Sequence, residues 1–164
     1  MWKRLQEKIK CFKQDERGLQ LVELAIVLPV LIVLFAGVAE FGRYFQTYTT
    51  LAKGSRVAAR FLATGSANGV DDAAAKNLVV YGNLAGSGNP IVAGLTTGNV
   101  TITRRNGSGA VTSGFPTTVT IEITNFKHTP VFDLGKLINS SSLSLNVDVK
   151  PSVTMRYLLT QSPI

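Results

Sequence analysis

The sequence predicts an α+β fold in which a long N-terminal helix packs on a C-terminal antiparallel sheet of about four strands. Three patterns support this prediction. Residues 24–39 form an uncharged apolar run, an apolar spacing of three and four continues to residue 62, and apolar and polar residues alternate from residue 100. The 164 residues allow one domain of ordinary size and leave little room for a two-domain enzyme.

Residues 19–41 are predicted to cross a membrane as a helix. Sixteen uncharged residues, 24–39, lie between Glu23 and Glu40. As a helix, residues 19–41 extend about 34 Å, enough to cross a hydrocarbon layer of roughly 30 Å. The absence of a polar face argues against the core helix of a soluble protein. Pro29 removes one helical hydrogen bond and predicts a kink, which membrane helices tolerate.

The flanks of this segment indicate its type and its orientation. A cleavable secretory signal would end in small residues, whereas Glu40-Phe41-Gly42-Arg43 follows the apolar run, so we expect a retained anchor. We call these four residues the membrane-exit motif. Six cations against three anions in residues 1–18 favour a cytoplasmic N-terminus. Four basic residues between positions 43 and 60 weaken that preference.

Glu23 lies inside the apolar block, where an ionised carboxylate is costly. One interpretation is that its side chain lies near the interface and reaches water. The other interpretation requires a partner charge. If the chain is cut after Gly18, Leu19 carries a new ammonium group one helical turn from Glu23, which then neutralises that amine or the amine of a neighbouring subunit.

The same residues resemble a known family. A basic leader ending in Gly18, followed by four residues and then Glu23, resembles the type IV prepilin processing site. The longer string runs from Arg17-Gly18 through Glu23-Leu24-Ala25-Ile26-Val27-Leu28-Pro29 to the membrane-exit motif. It resembles the TadE-like family, pilin-like proteins of the tight-adherence (Flp-type) pilus machinery. The similarity covers roughly residues 17–63.

The resemblance implies a type IV pilin-like layout and a structural subunit, not an enzyme. Residues 1–18 would be a leader that a prepilin peptidase removes between Gly18 and Leu19, residues 19–63 a long helix, and residues 64–164 an exported domain. The protein would be a minor pilin or pseudopilin of the bacterial inner membrane, with a periplasmic or extracellular C-terminal domain. It would enter, or help to start, a pilus used in adhesion, biofilm formation or secretion.

The resemblance also implies partners. These are the prepilin peptidase, the major Flp-type pilin, a second minor pilin and, indirectly, the inner-membrane platform and the assembly ATPase. A second hypothesis comes from a different class of protein. An uncleaved, singly anchored binding protein would keep residues 2–18 and would present its exterior domain to a ligand or an adhesion target.

Periodicity predicts the elements beyond the membrane. One helical stripe is predicted to face a sheet or another helix: Phe41, Phe45, Tyr48, Ala52, Ser55, Ala59 and Leu62. A second helix is predicted over residues 73–81, preceded by Asp71 and Asp72, since acidic residues favour helix starts. Four strands are predicted near residues 100–103, 118–124, 143–149 and 153–157, with a hairpin turn at Asn106-Gly107. Residues 126–142 are interpreted as a connecting loop or an exposed contact region.

Residues that carry catalytic or metal chemistry are sparse. His128 is the only histidine and Cys11 the only cysteine, so a zinc site made by the protein alone would need scattered carboxylates. His128 and Asp133 are accompanied by no Gly-x-Ser-x-Gly nucleophile elbow. We therefore interpret His128 as a loop imidazole and predict no metal, no cofactor and no catalytic residues.

The net charge of +7 does not indicate nucleic-acid binding. The leader contributes +3 of it, with six cations and three anions, and this charge bears on orientation and processing. The basic residues of the helix lack interleaved aromatics and belong to no recognisable nucleic-acid module. We predict a membrane partner and no nucleic-acid partner.

Overall fold

The computed structural model describes residues 16–65, 71–112, 116–137, 139, 144 and 146–158. In chain order these residues form helix α1 (Glu16–Thr64), helix α2 (Asp72–Tyr81), a 3₁₀ turn (Thr97–Asn99), strand β1 (Val100–Arg105), strand β2 (Thr118–Ile123), helix α3 (Leu134–Leu137) and strand β3 (Ser152–Arg156). The chain divides into two compact units between Ala39 and Glu40. The α+β architecture and the long N-terminal helix are both confirmed. Most of the predicted leader, residues 1–15, lies outside the described residues.

The first unit, as far as it is described, is the helical segment 16–39 of α1. It is rich in Leu, Val and Ile, and Pro29 lies inside it without ending the helix. A proline removes one backbone hydrogen bond, which membrane helices tolerate because neighbouring groups can satisfy the freed carbonyl. Whether Pro29 kinks α1 remains a prediction.

The second unit has a hydrophobic core between the C-terminal part of α1, helix α2 and one face of the sheet. Its buried apolar residues are Leu51, Ala58, Ala59, Leu62, Ala63, Ala75, Val79, Val80, Leu95, Val100, Val119, Ile121, Ile123, Phe126, Val149 and Tyr157. Gly54 allows α1 and α2 to approach closely, since an added Cβ would lie 3.4 Å from the carbonyl oxygen of Val79. The predicted second helix is confirmed, and it ends at Gly82 in the left-handed conformation (φ 72°) that favours glycine.

The sheet has three antiparallel strands in the order β1-β2-β3. Side chains alternate as predicted, so Val119, Ile121 and Ile123 of β2 are buried while the hydroxyls of Thr120 and Thr154 lie 2.8 Å apart on the opposite face. The predicted turn at Asn106-Gly107 is confirmed by a hydrogen bond that the N–H of Gly109 donates to the carbonyl of Asn106 at 3.0 Å.

The prediction of about four strands is wrong by one. Residues 143 and 145 of the predicted strand at 143–149 lie outside the described residues. Of the rest, Asp148 forms a single antiparallel bridge with Lys127. The N–H of Val149 donates to Phe126 and the N–H of His128 donates to Val147. Pro130 lies on the same segment as Lys127 and His128. Because proline has no N–H to donate, the pairing of the two segments cannot extend past it.

The predicted stripe on α1 is correct for its C-terminal half and wrong for its N-terminal half. Ser55, Ala59 and Leu62 are fully buried, as predicted for a face that packs on a neighbouring element. The three aromatic residues of the stripe, Phe41, Phe45 and Tyr48, are exposed instead. In a helix of 3.6 residues per turn, a stripe with strict spacings of three and four gradually rotates around the helix axis. The face of α1 that is buried here begins instead at Glu40, Tyr44 and Leu51.

Candidate functional site

The segment 19–38 of α1 exposes apolar side chains on all sides. The large exposed ones are Leu19, Leu21, Val22, Leu24, Ile26, Val27, Leu28, Val30, Leu31, Ile32, Leu34, Phe35 and Val38. Among the described residues, α1 is the one helix that is long and apolar enough to cross a membrane. The core helix of a soluble protein would have this surface covered by its own chain, but none of the most apolar window of α1 is buried. The segment therefore suits a lipid environment.

The structure places the predicted processing residues near the start of the described helix. Gly18 and Leu19 are exposed, and a Cβ added to Gly18 would meet nothing within 4 Å. Glu23 is exposed between apolar neighbours, and no ion pair found among the described residues includes it. Neither Gly18 nor the carboxylate of Glu23 is covered by other described residues.

The membrane-exit motif contains a buried carboxylate. Glu40 is 3% exposed, and its Oε1 lies 3.0 Å from Nε2 of His128, which is itself 5% exposed. The backbone N–H of Phe132 donates to Oε2 at 3.3 Å, and Nη1 of Arg43 lies 3.4 Å from the same oxygen. A carboxylate only accepts hydrogen bonds, so Nε2 is assigned as the protonated nitrogen of the imidazole. Both oxygens of Glu40 therefore have donors, as a buried carboxylate requires.

Helix α1 and the segment after β2 bring these groups together. Glu40 and Tyr44 are four residues apart and share one face of α1. The Tyr44 ring packs edge-on against His128, with centroids 5.6 Å apart and an interplanar angle of 88°. The backbone N–H of His128 donates to the carbonyl of Val147 at 3.0 Å, which holds the segment that carries the imidazole. The membrane-exit motif is thus bound to residues 128–132.

A second, partly buried ion pair lies on the inner face of the sheet, where Arg104 is 9% and Asp72 34% exposed. Nη1 and Nη2 of Arg104 donate to the two carboxylate oxygens of Asp72 at 3.1 and 2.5 Å, and Nε donates to the hydroxyl of Tyr157 at 3.0 Å. The hydrogen bonds to Asp72 raise the pKa of the Arg104 guanidinium above its ordinary value although burial opposes the shift, so the side chain stays charged. This bidentate contact connects the start of α2 with β1 and with the residue after β3.

A cavity of about 350 Å³ lies next to the Glu40–His128 pair. Residues 43–50 of α1 form one wall, residues 126–129 a second, and residues 91–93 the rest. The lining combines two cations, Arg43 and Lys127, with several hydroxyl groups and an apolar surface that includes Phe126. We refer to this space as the exit cavity.

The family comparison concerns the same part of the chain. The family model described as TadE-like protein matches residues 18–60. Over these residues the chain is similar to the TadE-like family. The match begins at Gly18 and includes Glu23, Pro29 and the membrane-exit motif, so the resemblance predicted from the sequence is confirmed. No curated protein and no solved structure matches the chain.

The TadE-like family consists of structural, pilus-associated proteins and is not a family of enzymes. Within the part of the chain that the structure describes, no group of three or more His, Cys, Asp or Glu side chains could hold a metal ion. Among the same residues, α1 supplies the one apolar segment that is consistent with single-pass membrane anchoring.

Sequence reasoning missed the partners of both ion pairs. His128 lies in a connecting segment, as interpreted, but it is buried on helix α1. His128 and Glu40 are 88 positions apart in the chain, so no local pattern could have paired them. The burial of Arg104 could have been predicted from the sequence. It continues the alternation of Val100 and Ile102, so its side chain lies on the inward face of β1.

Proposed function

We propose that this chain is a minor pilin-like subunit that a prepilin peptidase cuts between Gly18 and Leu19 and that then serves in the assembly of a tight-adherence (Flp-type) pilus. Residues 19–41 anchor it in the bacterial inner membrane, with the N-terminus cytoplasmic and residues 64–164 outside. One observation carries the proposal. A single helix, α1, contains the whole TadE-like match. This match begins at the exposed Gly18 and includes a long, exposed apolar surface.

The exposed apolar surface supports a role in assembly. Segment 19–38 has no covering partner among the described residues, and the exposed aromatics Phe41, Phe45 and Tyr48 continue its apolar character. In lipid, such helices associate through van der Waals packing and through pairing of their polar groups. An apolar helix of this length can therefore serve first as an anchor and then as a contact between subunits.

The position of Glu23 supports processing after Gly18. Cleavage there gives Leu19 a free ammonium group, and four residues of helix place Glu23 about 6 Å farther along the axis. A carboxylate near the N-terminus of a helix is also stabilised by the helix dipole. In lipid, where an unpaired charge is costly, the amine of the same chain or of a neighbouring subunit would neutralise Glu23.

The conformation at Gly18 bears on how the peptidase would act. Gly18 lies within α1, and cleavage of the following bond requires this part of the helix to open locally. Glycine weakens a helix by roughly 0.5–1 kcal/mol relative to alanine, so local opening is easier at this position than at most others.

The mature N-terminus tests the proposal. We expect the protein extracted from membranes to begin at Leu19 by N-terminal sequencing and intact mass, and Gly18→Leu to keep its leader. Gly42→Leu is the matched control, because an added Cβ at Gly42 also meets nothing within 4 Å in the same helix. Its processing should be normal.

Two outcomes would contradict the proposed processing. The first is a Gly18→Leu variant with the mature mass of the wild type. The second is a wild-type protein that retains residues 2–18 in membranes, which would favour the uncleaved, anchored binding protein. Retention of the leader in both glycine variants would instead show a general effect of leucine in the helix.

The proposed topology can be tested separately. Val111 is well exposed in the second unit, so Val111→Cys in a Cys11→Ser background offers a single accessible thiol. We expect a membrane-impermeant maleimide to label it from the outside of intact spheroplasts. Labelling that requires lysis would place the domain in the cytoplasm and would contradict the proposed orientation.

A further inference from the structure

The exit cavity combines positive charge, hydroxyl groups and an apolar wall. Arg43 on α1 and Lys127 after β2 supply the cations, while Thr47 and Thr129 supply hydroxyl groups and Phe126 contributes apolar surface. A volume of about 350 Å³ is within the usual range for small-ligand sites. This composition suits an amphiphilic anion better than a purely polar or purely apolar ligand.

The two cations keep capacity for an added anion. The contacts of Arg43 with Glu40 use Nη1, so Nε and Nη2 take no part in them, and the side chain is 49% exposed. Glu40 also receives His128 and the N–H of Phe132. Asp148 lies opposite Lys127 across the isolated bridge but makes its ion pair with Lys150 at 2.8 Å.

Arg43 lies close to the proposed membrane segment along the chain. It is two residues beyond the segment 19–41, about 3 Å of helix. The headgroup region adds roughly 5–8 Å to each side of the hydrocarbon core. If residues 19–41 span the core, the guanidinium of Arg43 is within reach of lipid phosphates.

Val131 adds an exposed apolar side chain two residues after Thr129 of the exit cavity. It is 79% exposed, although it directly precedes Phe132, whose N–H is bound to Glu40 at the end of the apolar run. The segment 127–132 therefore exposes both a cation and a large apolar side chain at that level of α1. Surfaces that combine basic and apolar residues bind at the boundary between headgroups and acyl chains.

We propose that the exit cavity binds the phosphate of an anionic phospholipid from the membrane that anchors the chain. Arg43 and Lys127 contact the phosphate from opposite walls, Thr47 and Thr129 donate hydrogen bonds to its oxygens, and Phe126 contacts the glycerol and the start of an acyl chain. Inorganic phosphate and an acidic segment of another subunit share part of this chemistry, and the displacement and crosslinking experiments distinguish them from the lipid. The inference rests on the membrane anchor of the proposed function, and not on processing or on the pilus.

Lipid retention by the full-length protein tests the site. The protein is reconstituted in nanodiscs that contain phosphatidylcholine with or without phosphatidylglycerol, transferred to mild detergent, and examined by native mass spectrometry. We expect the wild type to retain phosphatidylglycerol selectively. Arg43→Gln/Lys127→Gln should retain about tenfold less, because each cation near a membrane surface contributes a factor of about five or less.

Lys53→Gln/Arg56→Gln is the matched control. It removes one lysine and one arginine from exposed positions of α1 outside the lining of the exit cavity, so its total change in charge is the same. We expect retention equal to that of the wild type. Equal loss in both double variants would overturn the site in favour of nonspecific charge. Lys127→Gln alone, which leaves the Glu40 contacts intact, should still reduce retention about fivefold or less.

Two further measurements distinguish the possible occupants. Excess inorganic phosphate should not displace the lipid, and displacement would assign the cavity to a soluble anion instead. A benzoylphenylalanine in place of the exposed Thr129 should crosslink to lipid in membranes, whereas a crosslink to a protein would overturn the lipid assignment. Carbonate extraction separates the proposed membrane anchor from the proposed lipid site. Release of the protein by carbonate would contradict the anchor. A protein that stays in the membrane but shows no selective lipid retention would contradict the lipid site alone.

Discussion

Nε2 of His128 lies 3.0 Å from Oε1 of Glu40, and both side chains are buried. Glu40 is the first charged residue after the uncharged run of α1, while His128 comes from the segment after β2. A buried carboxylate is costly unless its oxygens receive donors. The pair therefore determines where residues 126–132 pack on α1, and with them one wall of the exit cavity.

Replacement of His128 by alanine should destabilise the second unit. The variant leaves one oxygen of Glu40 without its buried donor, so we expect the free energy of unfolding to fall by about 2 kcal/mol. His128→Gln, which retains a side-chain N–H, should recover part of the loss. The measurement is urea-dependent proteolysis of the full-length protein in detergent.

The control for this prediction is Thr129→Ala at the exposed neighbouring position, which should change stability by less than about 0.5 kcal/mol. Combining His128→Ala with Glu40→Gln should cost less than the sum of the single changes, with a coupling of about 1 kcal/mol. Strict additivity would show that the contact between the two side chains contributes nothing to stability.

Replacement of Arg104 by methionine should cost more. Methionine removes both hydrogen bonds to Asp72 and leaves the hydroxyl of Tyr157 without its donor. Because Asp72 is one-third exposed and can regain water, we expect a loss of about 3 kcal/mol, at the lower end for a broken buried pair. Arg105→Met, at the exposed next position of β1, should be nearly neutral. Similar losses in the two variants would contradict the assigned role of Arg104.

The corrected packing face of α1 predicts a contrast between two apolar residues. Leu51 is fully buried in the core, whereas Phe45 is 59% exposed. Leu51→Ala should lower the free energy of unfolding by about 3 kcal/mol through lost burial and the remaining cavity. Phe45→Ala should change it by less than about 0.5 kcal/mol. A large loss for Phe45→Ala would restore the original stripe as the packing face.

Patterns within single elements were readable from the sequence. The apolar run predicted the long helix, and the alternation around Ile102, Ile121 and Val153 predicted all three strands, because burial on one face dictates a period of two. The string that begins at Arg17 predicted the resemblance to the TadE-like family. Each of these signals is carried by residues close together in the chain.

Contacts between distant segments were not readable in the same way. Glu40 ends an apolar helix and needs a donor, but no property of its neighbours indicates that the donor is His128. Among the described residues the segment predicted as a fourth strand forms one bridge, and Pro130 on the opposite segment has no N–H with which to extend the pairing. Such outcomes are decided by tertiary packing, which a pattern along one segment does not contain.

Glu23→Ala should allow cleavage after Gly18 but should weaken assembly. In the proposed subunit the carboxylate neutralises the new amine of Leu19 in lipid, and an unpaired charge there costs a few kcal/mol. We therefore expect incorporation into sheared filaments to fall by about tenfold or more. The measurement is quantitative immunoblotting of filament and membrane fractions, with the mature N-terminus confirmed by sequencing.

Two further variants separate charge from packing. Glu23→Gln keeps the length of the side chain but removes its charge, so it should lose incorporation to a similar extent. Glu122→Ala removes a carboxylate from the outward register of β2, between the buried Ile121 and Ile123, and should assemble normally. Normal incorporation of Glu23→Ala would exclude the pairing role. Loss of cleavage in that variant would assign Glu23 to recognition by the peptidase, because the defect would then precede assembly.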